Sequence, residues 1–101
     1  MLFRILHVSL KPGKTDEWMH YTRELGFPAM LRQHGCRQIW RLQTHGADGD
    51  YHIMTLWDSI EDLERFRASD DMQRLVAASA EVMGPARGET LYDVIEDPAA
   101  E

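Results

Sequence analysis

The sequence predicts an α+β domain in which four antiparallel strands carry helices on one face of the sheet. Strand-prone and helix-prone segments follow one another in the order β-α-β-β-α-β. Residues 51–66, Tyr-His-Ile-Met-Thr-Leu-Trp-Asp-Ser-Ile-Glu-Asp-Leu-Glu-Arg-Phe, pass directly from an alternating strand into a capped acidic helix. The first and third strands are apolar on both sides, so each face of the sheet calls for a cover.

Residues 2–10, Leu-Phe-Arg-Ile-Leu-His-Val-Ser-Leu, are β-prone and end at Lys11-Pro12-Gly13, where Pro and Gly favour a turn. Thr15 or Asp16 opens a helix with Glu17 in its first turn. Trp18, Tyr21, Thr22 and Leu25 recur at helical spacing and face inward. Pro28 lacks an amide and clashes with the preceding turn, so a kink or break is expected near residues 25–28. Ala29 to His34 continues as a helical segment to Gly35, which suits a left-handed C-terminal cap. Cys36 to Gln43 is the second strand, residues 45–50 form a hairpin loop, and Tyr51 to Trp57 is the third strand. Asp58 or Ser59 caps the next helix, with Asp62 three residues after Ser59 making an imperfect capping box. That helix ends near Arg67. Ser69-Asp70-Asp71 restarts a helix over Met72, Leu75, Val76 and Ala80. After the loop at residues 84–88, Glu89 to Ile95 is the last strand. The domain is expected over residues 1–95, with 96–101 as a flexible C-terminal tail.

This order is the ferredoxin-like split arrangement, with helices on one sheet face. Phe3, Ile5, His7 and Ser9 share one side of the first strand; Leu2, Leu6, Val8 and Leu10 share the other. The helices of so short a chain cover one face only, and a second copy of the chain is the simplest cover for the other. The sequence thus predicts a homodimer associating through the sheet face away from the helices, with Leu6 and Val8 on that face.

Composition narrows the function. At 101 residues one domain is expected, and a net charge of −6 with no basic run argues against nucleic acid. No apolar run approaches the length of a membrane span. The N-terminus shows neither a charged leader nor a cleavage site, so a cytoplasmic location is expected. Cys36 is the single cysteine, which precludes an internal disulfide and leaves a small half-buried thiol. His20 with Asp16 or Glu24, and His45 with His52, lack the spacing of a specific metal site, so no metal is expected. There is no Gly-x-Ser-x-Gly and no phosphate-cradling glycine loop.

His7 lies mid-strand among apolar neighbours, where an imidazole needs a partner or a water-filled cavity. Imidazole titrates near neutrality, so His7 is either a satisfied structural histidine or a base able to take a phenol proton. Trp18, Trp40, Trp57, Tyr21, Tyr51 and Phe66 supply enough aromatic surface for a flat ligand, or simply for a core. Arg37, Arg41 and Arg87 are either solvated or available to orient an anionic oxygen.

The Trp57-Asp58-Ser59 turn, the acidic helix with Phe66 nine residues after Trp57, and the Pro28…Gly35-Cys36 helix end resemble the antibiotic biosynthesis monooxygenase family. The resemblance spans residues 2–95. It implies a dimeric α+β barrel in which two sheets pack face to face. Members oxidise phenolic polyketides with oxygen and no cofactor, interconvert quinols and quinones, or open haem. The family pocket lies between sheet and helices, and His7 matches a first-strand position that points into it. The resemblance thus implies a cofactor-independent monooxygenase acting on a small aromatic, phenolic or quinol substrate, with His7 as catalytic base and Phe3, Ile5, Trp18, Tyr51, Trp57 and Phe66 lining the site. The chain departs from the family in two ways. It contains no asparagine, whereas quinone-forming and haem-degrading members use one in the pocket. Phe66 and Val76 stand where the haem branch has a Trp and an iron-ligating His, and valine binds no iron. The alternatives are a non-catalytic dimeric domain that binds a small ligand or serves in stress, and an isomerase or lyase on the same scaffold.

Overall fold

The computed structural model describes residues 1–99. Four strands, β1 (Leu2–His7), β2 (Cys36–Gln43), β3 (Tyr51–Trp57) and β4 (Glu89–Asp93), form one antiparallel sheet in the order β2-β3-β1-β4. The two central strands are the doubly apolar ones, as a sheet covered on both sides requires. The single chain leaves this sheet open; a barrel requires a second sheet. Residues 96–99 follow β4 without helix or strand and are exposed, and residues 100 and 101 of the expected tail lie outside the described residues.

Between β1 and β2 the chain forms α1 (Thr15–Tyr21), a π-helical turn (Thr22–Gly26) and α2 (Phe27–Leu31). Of the kink or break expected near residues 25–28, no break occurs: the path is continuous, and its winding widens into the π turn just before Pro28. Tyr21 and Phe27, the flanking residues, keep helical dihedrals. Pro28 cannot donate to the turn before it, and the wider π winding absorbs that loss without ending the helix. Gly35 has φ +83°, the left-handed value expected of it. A β-carbon there would overlap the Asp62 carboxylate, so both backbone and space demand glycine.

The helix after β3 is α3 (Ile60–Arg67), capped by Ser59, whose hydroxyl accepts from the Asp62 amide at 3.2 Å. The reciprocal bond differs from a full capping box. Ser59 Oγ donates to the Asp62 carboxylate at 3.0 Å. Aspartate is one methylene shorter than the glutamate that reaches the cap's own amide. Ser69 caps α4 (Asp70–Ser79) in the same manner.

All helices lie on one face of the sheet, and the register shows which. Leu2 pairs with Trp57, Arg4 with Thr55 and Leu6 with Ile53, whereas Phe3 pairs with Leu56, Ile5 with Met54 and His7 with His52. Leu2, Trp57, Thr55 and Val8 are buried beneath the helices. Side chains alternate along a strand, so Leu2, Arg4, Leu6 and Val8 face inward, and Phe3, Ile5 and His7 face outward. This corrects the assignment of Leu6 and Val8 to the dimer face. Both sides of β1 are apolar, and its pattern alone does not tell them apart.

The inner face carries two apolar clusters. One joins Leu2, Met30, Trp57, Leu63, Phe66 and Leu75; the other joins Val8, Trp18 and Val82. Tyr21 packs against both.

Candidate ligand cavity on the inner face

Between these clusters lies a cavity of about 470 Å³. Its walls are mostly apolar, with Leu6 and Ile53 from the sheet and Met30, Phe66, Met72 and Leu75 from the helices. That volume suits a ligand of two or three fused rings.

The expected site residues divide between the two faces. Trp18 and Phe66 line the cavity from α1 and α3. Tyr51 and Trp57 stand behind them. The Trp18 and Tyr51 rings are 5.1 Å apart, and those of Trp57 and Phe66 5.7 Å. Trp57 is fully buried and its indole N–H donates to Thr55 Oγ1 at 2.9 Å, so it is a core residue supporting Phe66. Phe3 and Ile5 belong to the outer face, where Phe3 meets Trp40 with 6.4 Å between ring centroids. His7 borders the cavity at the end of β1, but its ring lies edge-on to His52 at 4.8 Å, on the outer side of the sheet. Phe3, Ile5 and His7 therefore do not join the aromatic group around Trp18 and Phe66.

The polar groups on the inner side are occupied. The Tyr21 hydroxyl donates to the Leu75 carbonyl at 3.0 Å, and burial pushes its pKa up, so it stays a phenol. The Thr22 hydroxyl meets the Trp18 and Met19 carbonyls at 2.9 and 3.0 Å. Arg41 reaches inward from β2, stacks 5.3 Å from the Trp18 centroid and 5.1 Å from that of Phe27, and donates to Thr22 Oγ1 at 2.6 Å. Arg37 instead holds Asp58 with two bonds of 2.7 and 2.8 Å, away from the cavity. Arg87 lines the cavity and donates to the Val8 carbonyl at 3.4 Å.

Two residues that the sequence did not single out complete the lining. Arg4, on the inner face of a central strand, is ion-paired to Glu89 at the start of β4. Glu89 also accepts from Arg67 of α3. Burial opposes ionisation of Glu89, but the bond from Arg4 and the charges of Arg4 and Arg67 outweigh it and hold the carboxyl below its ordinary value. The pair spans almost the whole chain, so no local pattern signals it. Among the described residues, no group of three His, Cys, Asp or Glu side chains is placed to hold a metal ion, and no helix is long and apolar enough to cross a membrane.

Residues 1–78 match the family described as antibiotic biosynthesis monooxygenase. The chain belongs to the antibiotic biosynthesis monooxygenase family. Solved structures of similar fold share little sequence with it. A candidate family member from Caulobacter crescentus is 19% identical, with 94% of this chain and 90% of that one covered and a TM-score of 0.79. Another from Bordetella bronchiseptica is 17% identical, with coverage of 94% and 97% and a TM-score of 0.82. HapK from Hahella chejuensis is 10% identical, with coverage of 100% and 99% and a TM-score of 0.82. At these identities the likeness is one of fold. No curated protein sequence is significantly similar to this one.

Proposed function

We propose that the protein is a cofactor-independent oxygenase-type enzyme that holds a small aromatic, phenolic or quinol substrate in the inner-face cavity. The observation that carries this reading is the cavity itself, about 470 Å³ of mostly apolar space between sheet and helices in a chain of this family. In such chemistry the substrate supplies the electrons. Loss of its phenolic proton eases electron transfer to oxygen, and the protein contributes an apolar cage, a fixed ring orientation and a place for the proton.

His7 is the one imidazole bordering the cavity among the described residues, and it is the candidate base. Its ring stands on the outer side of the sheet, so only a substrate that extends past the rim beside Gly88, whose carbonyl accepts from the His7 amide at 3.1 Å, would meet it. The test is oxygen uptake with a panel of anthrones and quinols. Turnover is expected for at least one, with His7→Ala and His7→Phe both lowering it by ~10²-fold or more, as loss of a general base does. Full activity in a folded His7→Phe protein would remove the base assignment. No oxygen uptake with any of the panel would remove the oxygenase reading.

A second reading, a non-catalytic domain binding a small ligand, is favoured by one observation: Tyr21, Thr22 and Arg4, the inward polar groups, are already engaged. It predicts ligand binding without oxygen uptake. For the quaternary state we propose a homodimer through the outer sheet face, where Phe3, Ile5, Trp40, Met54, Leu56 and Tyr92 form an apolar surface. Trp40 and Tyr92 are 38% and 54% exposed in the single chain, more than an aromatic pair on a finished sheet face would be.

A further inference from the structure

We propose that Arg4, backed by Arg67, is the anion-holding end of the cavity, and that the Glu89 carboxylate occupies it until a ligand bearing its own carboxylate, sulfonate or phenolate takes its place. The inference deepens the cavity reading above and rests on that cavity being the binding site.

Four observations converge on it. Arg4 projects inward from a central strand, and its side chain is only 12% exposed. A guanidinium in so apolar a space requires a counter-charge, because burying an unpaired cation is strongly unfavourable. That counter-charge comes from Glu89, which also lines the cavity. Second, two guanidiniums converge on one carboxylate of the cavity wall, so its departure leaves both short of a partner there. Arg4 and Arg67 share the one Glu89 carboxylate, although Arg67 also lies 3.8 Å from Glu64 Oε1 on its solvent side. A carboxylate is what these guanidiniums select, and a ligand anion offers the same bonds.

Third, Glu89 is placed to leave. It is the first residue of an edge strand, and its pairing with Leu6 uses the backbone alone. Rotation of its side chain therefore breaks no sheet bond. Gly88 before it has φ +92°, and residues 84–88 form the cavity wall next to it. Fourth, the remaining wall is mostly apolar. The cavity therefore combines a mostly apolar compartment with a cationic end at Arg4, which is the complement of a flat ring system carrying one acidic group. Arg87 adds a further positive charge to the same wall, and it is committed elsewhere, to the Val8 carbonyl and to Asp50 at 3.8 Å.

Two fluorescent probes of similar size distinguish this from a structural ion pair: anionic 8-anilinonaphthalene-1-sulfonate and neutral N-phenyl-1-naphthylamine. Each is titrated into wild-type protein, Arg4→Met and Glu89→Gln. The wild type is expected to bind both. Arg4→Met is expected to weaken the sulfonate by about tenfold or more, the scale of one charge-assisted hydrogen bond, and to leave the amine within about twofold. Glu89→Gln, which keeps the shape and removes the competing charge, is expected to tighten the sulfonate at least threefold and leave the amine unchanged. Equal loss of both probes in Arg4→Met, unchanged sulfonate binding in that variant, or weaker sulfonate binding in Glu89→Gln would each overturn the anion site while leaving the cavity. Failure of the wild type to bind either probe would overturn the cavity reading, and the anion site with it.

Discussion

Cys36 shows how far a single position is decided by its surroundings. It opens β2 beneath the helices, 8% exposed, and burial pushes its thiol up to about 11. A thiolate there would be stranded without a cation, so the residue behaves as a small apolar side chain. Native protein is expected to react with a disulfide reagent at pH 8 about 10²-fold more slowly than a free thiol. Rapid labelling of folded protein would contradict the packing. The same shift sets a sign for stability. A folded-state pKa above the ordinary 9.0 means that the buried neutral thiol contributes fully below pH 9. That contribution is lost as pH rises through about 11, so Cys36→Ala should flatten the alkaline fall in melting temperature. That Cys36 packs as a small apolar group was legible from composition, since a lone cysteine beside a strand is most often a packing residue; it is buried where only half-burial was expected. The Arg4–Glu89 pair was not, because its members are joined by the sheet and by nothing in their neighbourhoods.

At the level of elements, the path from α1 to α2 is held by a side chain from the sheet. Arg41 stacks between Trp18, before the π turn, and Phe27, after it, and donates to Thr22 Oγ1 and to the Met19 carbonyl. It thus braces the helical wall of the cavity at the place where its winding changes. Burial pulls the guanidinium's pKa below its ordinary value, so the bracing works against a desolvation cost. Arg41→Lys keeps the charge and loses the planar fork, and is expected to cost about 1–3 kcal/mol in urea unfolding. A change below a few tenths of a kcal/mol would show that the wall stands without it. The caps at Ser59 and Ser69, the glycine at 35 and the hairpin loop were all readable from local chemistry. The π turn was not. Pro28 announced a disturbance, but whether a helix breaks or widens depends on what packs across it, here an arginine from β2.

Over the whole molecule, the β2-β3-β1-β4 topology followed from element order, because each strand and turn carried its own signal. The facing of β1 did not follow, since a strand apolar on both sides has no polar stripe to reveal its solvent side. The corrected facing gives a sharp test of association. Ile5→Glu or Leu56→Glu places a charge on the outer face and is expected to yield folded monomers by light scattering, the buried charge costing several kcal/mol in a dimer. Leu6→Glu strikes the inner face and is expected to unfold the chain instead. A monomeric wild type at micromolar concentration would end the dimer proposal. The thinness of the sheet carries a further consequence. The cavity lies on the helix side of the sheet, and the surface proposed for a second copy is the reverse side of the same strands. Each subunit would therefore own a complete compartment. Saturation should follow a simple hyperbola, with one ligand per chain and a Hill coefficient near unity. Any cooperativity would have to be transmitted through β1 and β3 themselves.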